Sequence, residues 1–203
     1  MLLCGSLAYA QKTWFCSDPG TVLSYVTTDA AGTQTNSFQY IITDVKKDGK
    51  KTVISYDTVI PTVTAAPTGC TVTYEDGLFY TDASASMGQM GASLQVSGNA
   101  PVLPDNPSVG MKLEDCQVSI SSLATTVDYT DISFTRHEQI TTPAGTFDAW
   151  CLEYKTNTKM AVMKVQNHNE QWFAKGIGVV KYVIMDKKGK VQSTQEIVSI
   201  EKP

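Results

Sequence analysis

The sequence has little of what catalysis, nucleic-acid binding and membrane crossing require. It contains only two histidines, His137 and His168, far from the paired spacing of zinc ligands. The net charge is −4, and lysines are scattered among acidic residues without forming a basic stripe. This pattern predicts no nucleic-acid partner. No stretch after the first ten residues approaches the about 18 apolar residues of a membrane-spanning helix, so no membrane span is expected.

Nucleophilic catalysis also lacks its usual residues. No G-x-S-x-G elbow is present. His137 lies in an alternating strand pattern that predicts a surface or barrel-lining position, and His168 lies in a polar segment that predicts a solvated turn. Cys151 follows Trp150 inside a strand pattern, which favours a disulfide or core role over a nucleophile. We therefore expect no catalytic residues and no enzymatic activity.

Acidic residues offer the remaining chemistry. Glu114, Asp115, Asp128 and Asp131 could serve acid–base catalysis on glycans or bind Ca²⁺. Carboxylates this close in sequence are common on loops and strand edges, and no D-x-D-x-D-G calcium loop is present. No C-x-x-C spacing favours zinc either. We expect no metal and no cofactor.

The first ten residues resemble part of a signal peptide. Leu2, Leu3 and Leu7 are apolar, and Ala8-Tyr9-Ala10 matches an A-x-A cleavage site. The domain prediction is a partial signal peptide at 1–10 and a single β domain at 11–203. A buried N-terminal strand is the alternative. Cys4 as a lipid-attachment residue fits poorly, because Leu3 stands where a small residue is required.

Four cysteines remain after residue 10, and an even count in an exported chain favours disulfides. Three pairings are open, with a preference for Cys16–Cys70 and Cys116–Cys151 because each pair stays within one half of the chain. Free buried thiols are the alternative, since free cysteine packs as a small apolar side chain.

The dominant sequence period is two, which predicts β-strands. Turn signals such as Asp48-Gly49 and Asp76-Gly77 separate alternating runs, as in hairpins. The predicted strand pairs are 37–45 with 52–59, 70–74 with 77–81, 132–140 with 146–154, 161–165 with 170–174, and 181–185 with 191–198. Residues 84–94 predict one short helix, and Pro101–Pro107 predicts a rigid extended loop.

Many consecutive hairpins predict an all-β fold: a strongly curved antiparallel meander or a partly closed barrel of roughly ten strands. Gly176 and Gly178 would permit a bulge or corner, since a strand rather than a helix follows them. The expected inward positions are Phe38, Tyr40, Ile42, Phe134, Phe147, Trp172 and Val180.

The aromatic residues carry the one indication of a ligand. If the concave face is only partly filled, Tyr40, Phe134 and Trp172 would line a groove for an apolar small molecule or lipid. The competing interpretation is that the rings fill the core. The groove interpretation predicts a binding or carrier module. The alternative is a structural component that contacts another envelope protein through a sheet edge or the Pro101–Pro107 loop.

Three pieces of the C-terminal half form a recognisable pattern: Pro107-Ser108-Val109-Gly110-Met111-Lys112-Leu113, Thr142-Pro143-Ala144-Gly145-Thr146-Phe147, and the run from Trp172 to Lys181. On these pieces the C-terminal half resembles a group of uncharacterised secreted Bacteroidetes proteins, domains of unknown function with a barrel-like antiparallel sheet. The resemblance implies a periplasmic or outer-surface location and supplies no catalytic residues.

Overall fold

A computed structural model describes residues 13–62, 64, 66–81 and 96–203. Within them the chain forms thirteen strands and one short 3₁₀ turn at Ser121–Leu123. The strands are β1 Val22–Asp29, β2 Gln34–Asp48, β3 Lys51–Val59, β4 Thr68–Glu75, β5 Leu78–Thr81, β6 Val96–Gly98, β7 Leu103–Pro104, β8 Cys116–Ile120, β9 Thr125–Thr142, β10 Gly145–Met160, β11 Met163–Ala174, β12 Gly178–Asp186 and β13 Val191–Glu201. No helix among the described residues is long and apolar enough to cross a membrane.

All thirteen strands form one antiparallel sheet in the order β6-β8-β9-β10-β11-β12-β13-β1-β2-β3-β4-β5-β7. The all-β prediction is confirmed, but there are thirteen strands rather than ten, and the ladder is not closed. The two edge strands, β6 and β7, are joined by residues 99–102 alone. Since each extended residue spans at most about 3.6 Å, the sheet must curl until its edges nearly meet.

Four of the five predicted hairpins are present, as β2–β3, β4–β5, β9–β10 and β12–β13. The fifth is wrong: residues 163–174 form the single strand β11, and the chain turns at Ala161-Val162 instead. The polar run around His168 resembles a turn in sequence. In the structure Asn169 on this run is buried and hydrogen-bonded, so the strand continues through it. Strands β1, β6, β7 and β8 were not anticipated, and the predicted helix at 84–94 lies outside the described residues.

The N-terminal segment Trp14-Phe15-Cys16 packs inside the curled sheet, where it forms the plug of one end. Trp14 is fully buried between Phe134 of β9 and Phe173 of β11, at centroid distances of 6.2 and 6.1 Å. Its Nε1 donates to the Pro104 carbonyl of β7 at 2.9 Å. The plug therefore connects the β7 edge to strands in the other half of the sheet.

Gly178 marks the corner where β12 meets the plug. Its φ is +113°, and a Cβ there would lie 3.0 Å from Cδ2 of Phe15. The pairing of β11 with β12 shifts register close by, between Trp172 and Phe173. The bulge or corner predicted for this glycine segment is confirmed, and close approach of the plug is a second reason for glycine.

The expected disulfides are not found. Cys16, Cys70, Cys116 and Cys151 are all free. Cys116 pairs with Tyr129, whose ring faces the concave side, whereas Cys151 lies against Arg136 on the convex side, so the sheet separates these two thiols. Cys70 lies 3.7 Å from the Thr58 hydroxyl and 3.6 Å from the Thr68 carbonyl instead.

Replacing Gly178 with alanine should lower the free energy of unfolding by about 2–4 kcal/mol, because backbone strain and contact with Phe15 act together. Gly189→Ala is the matched control: φ is +79° there, but no atom lies within 4 Å of the added Cβ. It should cost only about 1 kcal/mol. Urea denaturation measures both, and equal losses would contradict the role of Phe15.

Alkylation without reductant tests the free thiols. The four described cysteines, Cys16, Cys70, Cys116 and Cys151, should all be labelled in the denatured protein, as read by peptide mass mapping. In the native protein labelling should be slow, because burial raises the pKa of Cys116 and of Cys151 to about 11 in each case. A cysteine that is labelled only after reduction would contradict this assignment.

Candidate functional site

The concave face holds a partly open cavity of about 400 Å³ beneath the plug. Its walls come from β1 to β5, β7 and β9 to β13, so the cavity exists because the sheet curls around it. Phe15 closes it at the end where Gly178 lies. The aromatic lining residues are Phe15, Tyr40, Tyr56, Phe79, Tyr129, Tyr154, Phe173 and Tyr182.

A row of uncharged polar side chains crosses the cavity wall. Strand pairing places Asn36 of β2, Thr27 of β1, Gln195 of β13, Tyr182 of β12 and Gln171 of β11 directly beside one another. All five line the cavity. We call them the amide row. The sequence analysis did not predict this row, because Asn and Gln in a strand are normally assigned to the solvent-exposed face when the inward face is unknown.

Three amides of the row are available to a ligand. Within the described part of the chain, Asn36, Gln171 and Gln195 have no hydrogen-bonding partner for their side chains. Each amide offers donors and an acceptor, so together they can bind hydroxyl, carbonyl or amide groups. Since all three are half-buried, these groups would be held away from bulk water.

Tyr182 is fixed in the row by a buried network. Its hydroxyl donates to Asn169 Oδ1 at 2.8 Å, and Asn169 Nδ2 donates to Thr156 Oγ1 at 3.1 Å. Burial raises the pKa of Tyr182, and burial together with Tyr182 raises that of Tyr154 well above its ordinary value. Burial, with nearby Tyr182 and Cys116, raises the pKa of Tyr129 to about 12. These phenols are therefore neutral at physiological pH.

The cavity wall carries no charged side chain among the residues described. A carboxylate or phosphate ligand would lose hydration there without gaining a counter-ion, which is unfavourable. The chemistry of the wall therefore selects an uncharged ligand with an apolar body and at least one hydrogen-bonding group.

Of the three side chains expected to line the groove, the structure brings only Tyr40 to the cavity wall. Phe134 is fully buried against Trp14, where it supports the plug. Trp172 faces the opposite side of the sheet, because its register neighbour Cys151 contacts Arg136 and its Nε1 donates to Glu138 at 3.0 Å. Successive side chains of a strand point to opposite faces of the sheet. Because the neighbours Gln171 and Phe173 face the cavity, Trp172 faces away from it.

The convex face of β9 to β11 carries a charged cluster around Arg136. The guanidinium lies 3.1 Å from Glu153 and 3.0 Å from Glu170, and donates to Cys151 Sγ at 3.1 Å. Burial lowers the pKa of Arg136, but Cys151 and Glu170 outweigh it and the pKa is raised. The cluster binds three strands together.

His168 lies beside this cluster rather than in a solvated turn. With Glu153 and Glu170 it forms a group whose ligand atoms lie within 4.8 Å of one another, a spacing that could hold a metal ion. Arg136 already provides the positive charge between the two glutamates. A cation would have to compete with it, so we assign no metal to this group.

Among the other candidate catalytic groups, Asp115 lies beside Asp131, whose backbone N–H donates to Asp115 Oδ1 at 3.2 Å. Asp128 pairs with Lys159 at 3.0 Å, and Asp131 pairs with Lys155 at 2.8 Å. Hydrogen bonds from Gln117 and Lys159 lower the pKa of Asp128, and the Lys155 hydrogen bond lowers that of Asp131. A general acid requires the opposite shift. His137 stacks on Trp150 at 4.1 Å and pairs with Asp148 at 3.0 Å, away from these carboxylates.

Solved structures show the same fold. An exported protein with YmcC-like fold from Bacteroides fragilis has a TM-score of 0.78 at 19% identity, covering 94% of this chain and all 100% of that one. A lipoprotein from Parabacteroides distasonis has a TM-score of 0.79 at 19% identity, covering 94% of this chain and 99% of the other. No curated protein matches the sequence. The family model described as DUF3108-like matches residues 18–197. The chain belongs to this DUF3108-like family.

Proposed function

We propose that this protein is an exported, non-enzymatic binding module whose cavity holds an uncharged ligand with an apolar body. One observation carries the proposal: a cavity of about 400 Å³ lined by aromatic rings and by amides that have no partner among the described residues, with no charged side chain described in its wall. This combination fits general small-molecule sites, which are mostly apolar with a few polar groups that set orientation. A periplasmic or outer-surface location is supported by the names of the two similar structures.

The polar groups define how a ligand would lie. The aromatic side chains Tyr40, Tyr56 and Phe79 belong to β2, β3 and β5, on one side of the cavity. The amide row crosses β2, β1, β13, β12 and β11. A ligand would place its rings or chain against the aromatic wall and its hydroxyl or carbonyl group against Gln171 and Gln195.

A structural role in the envelope is the alternative class. It would need a free edge or a free Pro101–Pro107 loop. This loop is anchored instead: Leu103 is 1% exposed, Pro104 accepts from Trp14, and Asp105 pairs with Lys175 at 3.1 Å. Both edge strands are also short, at three and two residues. These contacts favour the cavity, rather than a sheet edge or the loop, as the functional site.

Two matched fluorescent probes test the proposal. N-phenyl-1-naphthylamine is uncharged, and 1-anilinonaphthalene-8-sulfonate has the same ring body with a sulfonate. The neutral probe should bind at least about tenfold more tightly, because the cavity offers no counter-ion. Gln195→Trp should fill the cavity and abolish binding, whereas Thr194→Trp, one residue away on the other face, should leave it intact. Equal affinity of both probes, or equal effects of both variants, would contradict the proposal.

Binding of the neutral probe should not depend on pH between about pH 5 and pH 9, because no His, Asp, Glu or Lys is described in the wall. Tyr129 has a folded-state pKa of about 12 against an ordinary value of 10.0, so its contribution to stability is complete below pH 10 and is lost as pH rises through 12. Affinity should therefore fall only at this alkaline limit, together with the melting temperature. A titration midpoint near neutral pH would contradict the assigned wall.

A further inference from the structure

The hairpin between β10 and β11 extends past β12 on one side, while β9 runs beside it to the same end, and it exposes apolar side chains at its end. Pairing of β10 with β11 continues to Met160 and Met163, whereas pairing of β11 with β12 stops at Asn167. The first four residues of β11, 163–166, therefore extend about 13 Å past β12. We call residues 159–164, Lys159-Met160-Ala161-Val162-Met163-Lys164, the hairpin tip.

The apolar side chains of the tip face water. Val162 is 98% exposed, Met163 56% and Met160 39%. Leu123, in the turn before β9, is 43% exposed, and it lies at the same end because Thr125 pairs with Met160. Exposed apolar groups collected at one place indicate a contact surface, unlike single exposed residues spread over a protein.

Two lysines flank the apolar tip symmetrically. Lys159 and Lys164 face each other across the hairpin, one residue below Met160 and Met163. Lys159 pairs with Asp128 at 3.0 Å, and Lys164 has no carboxylate partner among the described residues. The sequence therefore places an apolar end about 3.3 Å beyond a pair of cations.

We propose that the hairpin tip inserts into an anionic lipid surface. Met160, Val162 and Met163 would enter the boundary between headgroups and acyl chains, and the two lysines would meet lipid phosphates. A second protein is a poorer occupant, because a stable interface needs about 800 Å² and 20–30 residues on each partner. The tip offers only a few apolar side chains. This inference does not depend on the cavity or its ligand.

Co-sedimentation of the purified full chain with vesicles tests the inference. Binding should be stronger to phosphatidylcholine vesicles that contain phosphatidylglycerol than to phosphatidylcholine alone. Val162→Asp should weaken binding at least about tenfold, because it places a charge where an apolar group must insert. Val109→Asp is the matched control, since Val109 is also exposed, at 60%, but lies far from the tip in sequence; it should leave binding unchanged.

The charge requirement is tested separately. Replacing both Lys159 and Lys164 with glutamine should weaken binding to the anionic vesicles by about fivefold for each lysine. Lys46→Gln with Lys47→Gln removes the same charge from exposed positions on β2 and should have little effect. Every variant keeps the same N-terminal residues, so any membrane affinity of that segment is common to all.

Several outcomes would overturn the inference. These are no vesicle binding by the unsubstituted chain, unchanged binding by Val162→Asp, or equal losses from Val162→Asp and Val109→Asp. Sedimentation velocity tests one further outcome. If Val162→Asp dissociates an oligomer while vesicle binding persists, the tip contacts a second copy of the chain and the inference is wrong. The melting temperature of Val162→Asp should match that of the unsubstituted protein, because the side chain is almost fully exposed.

Discussion

The curl of the sheet depends on the plug, because the hydrogen-bonded ladder never closes. Trp14 contacts β9 and β11 through its ring and β7 through its indole N–H. Lys175, in the turn after β11, lies 3.8 Å above the Trp14 ring and donates to the Asp105 carbonyl at 2.6 Å. The Gly176 N–H donates to the Thr13 carbonyl at 2.6 Å. Side chains and one backbone segment thus hold together two regions that strand pairing would leave apart.

A plug at one end also explains why the concave face is only partly filled. Trp14 and Phe15 occupy the end near Gly178, and the rings of Phe134 and Phe173 pack against Trp14. Two residues before Phe173 in β11, the wall residue is Gln171, where the amide row begins. If the amide side chains of this row were packed against each other, they could satisfy each other's hydrogen-bonding groups. Because they are spread over neighbouring strands of a curved wall, they instead face a shared space.

The sequence predicted the architecture well and the site poorly, for physical reasons. Period-two alternation and Asp-Gly turns locate hairpins, since both are local properties. Which face points inward depends on register: Trp172 was assigned inward, but its neighbours Gln171 and Phe173 line the cavity, so alternation along β11 places Trp172 on the opposite face. The amide row joins residues from Asn36 to Gln195, and no local pattern reveals it. Asn169 can be buried because Tyr182 and Thr156, on other strands, satisfy its side chain. These distant partners are not visible in the local sequence, so the polar run around Asn169 resembled a turn.

The two faces of the sheet divide charge between them, and this division constrains any function. Along β10, Leu152 and Tyr154 line the cavity, while Cys151, Glu153 and Lys155 lie on the other face. Arg136 neutralises carboxylates there at side-chain exposures of 21–41%, where water still screens the charges. The convex face can therefore hold ion pairs at little cost, and the described wall of the cavity carries only neutral dipoles. A one-residue shift of register would exchange the two faces and bury Glu153, so the alternation that builds the sheet also keeps the cavity uncharged.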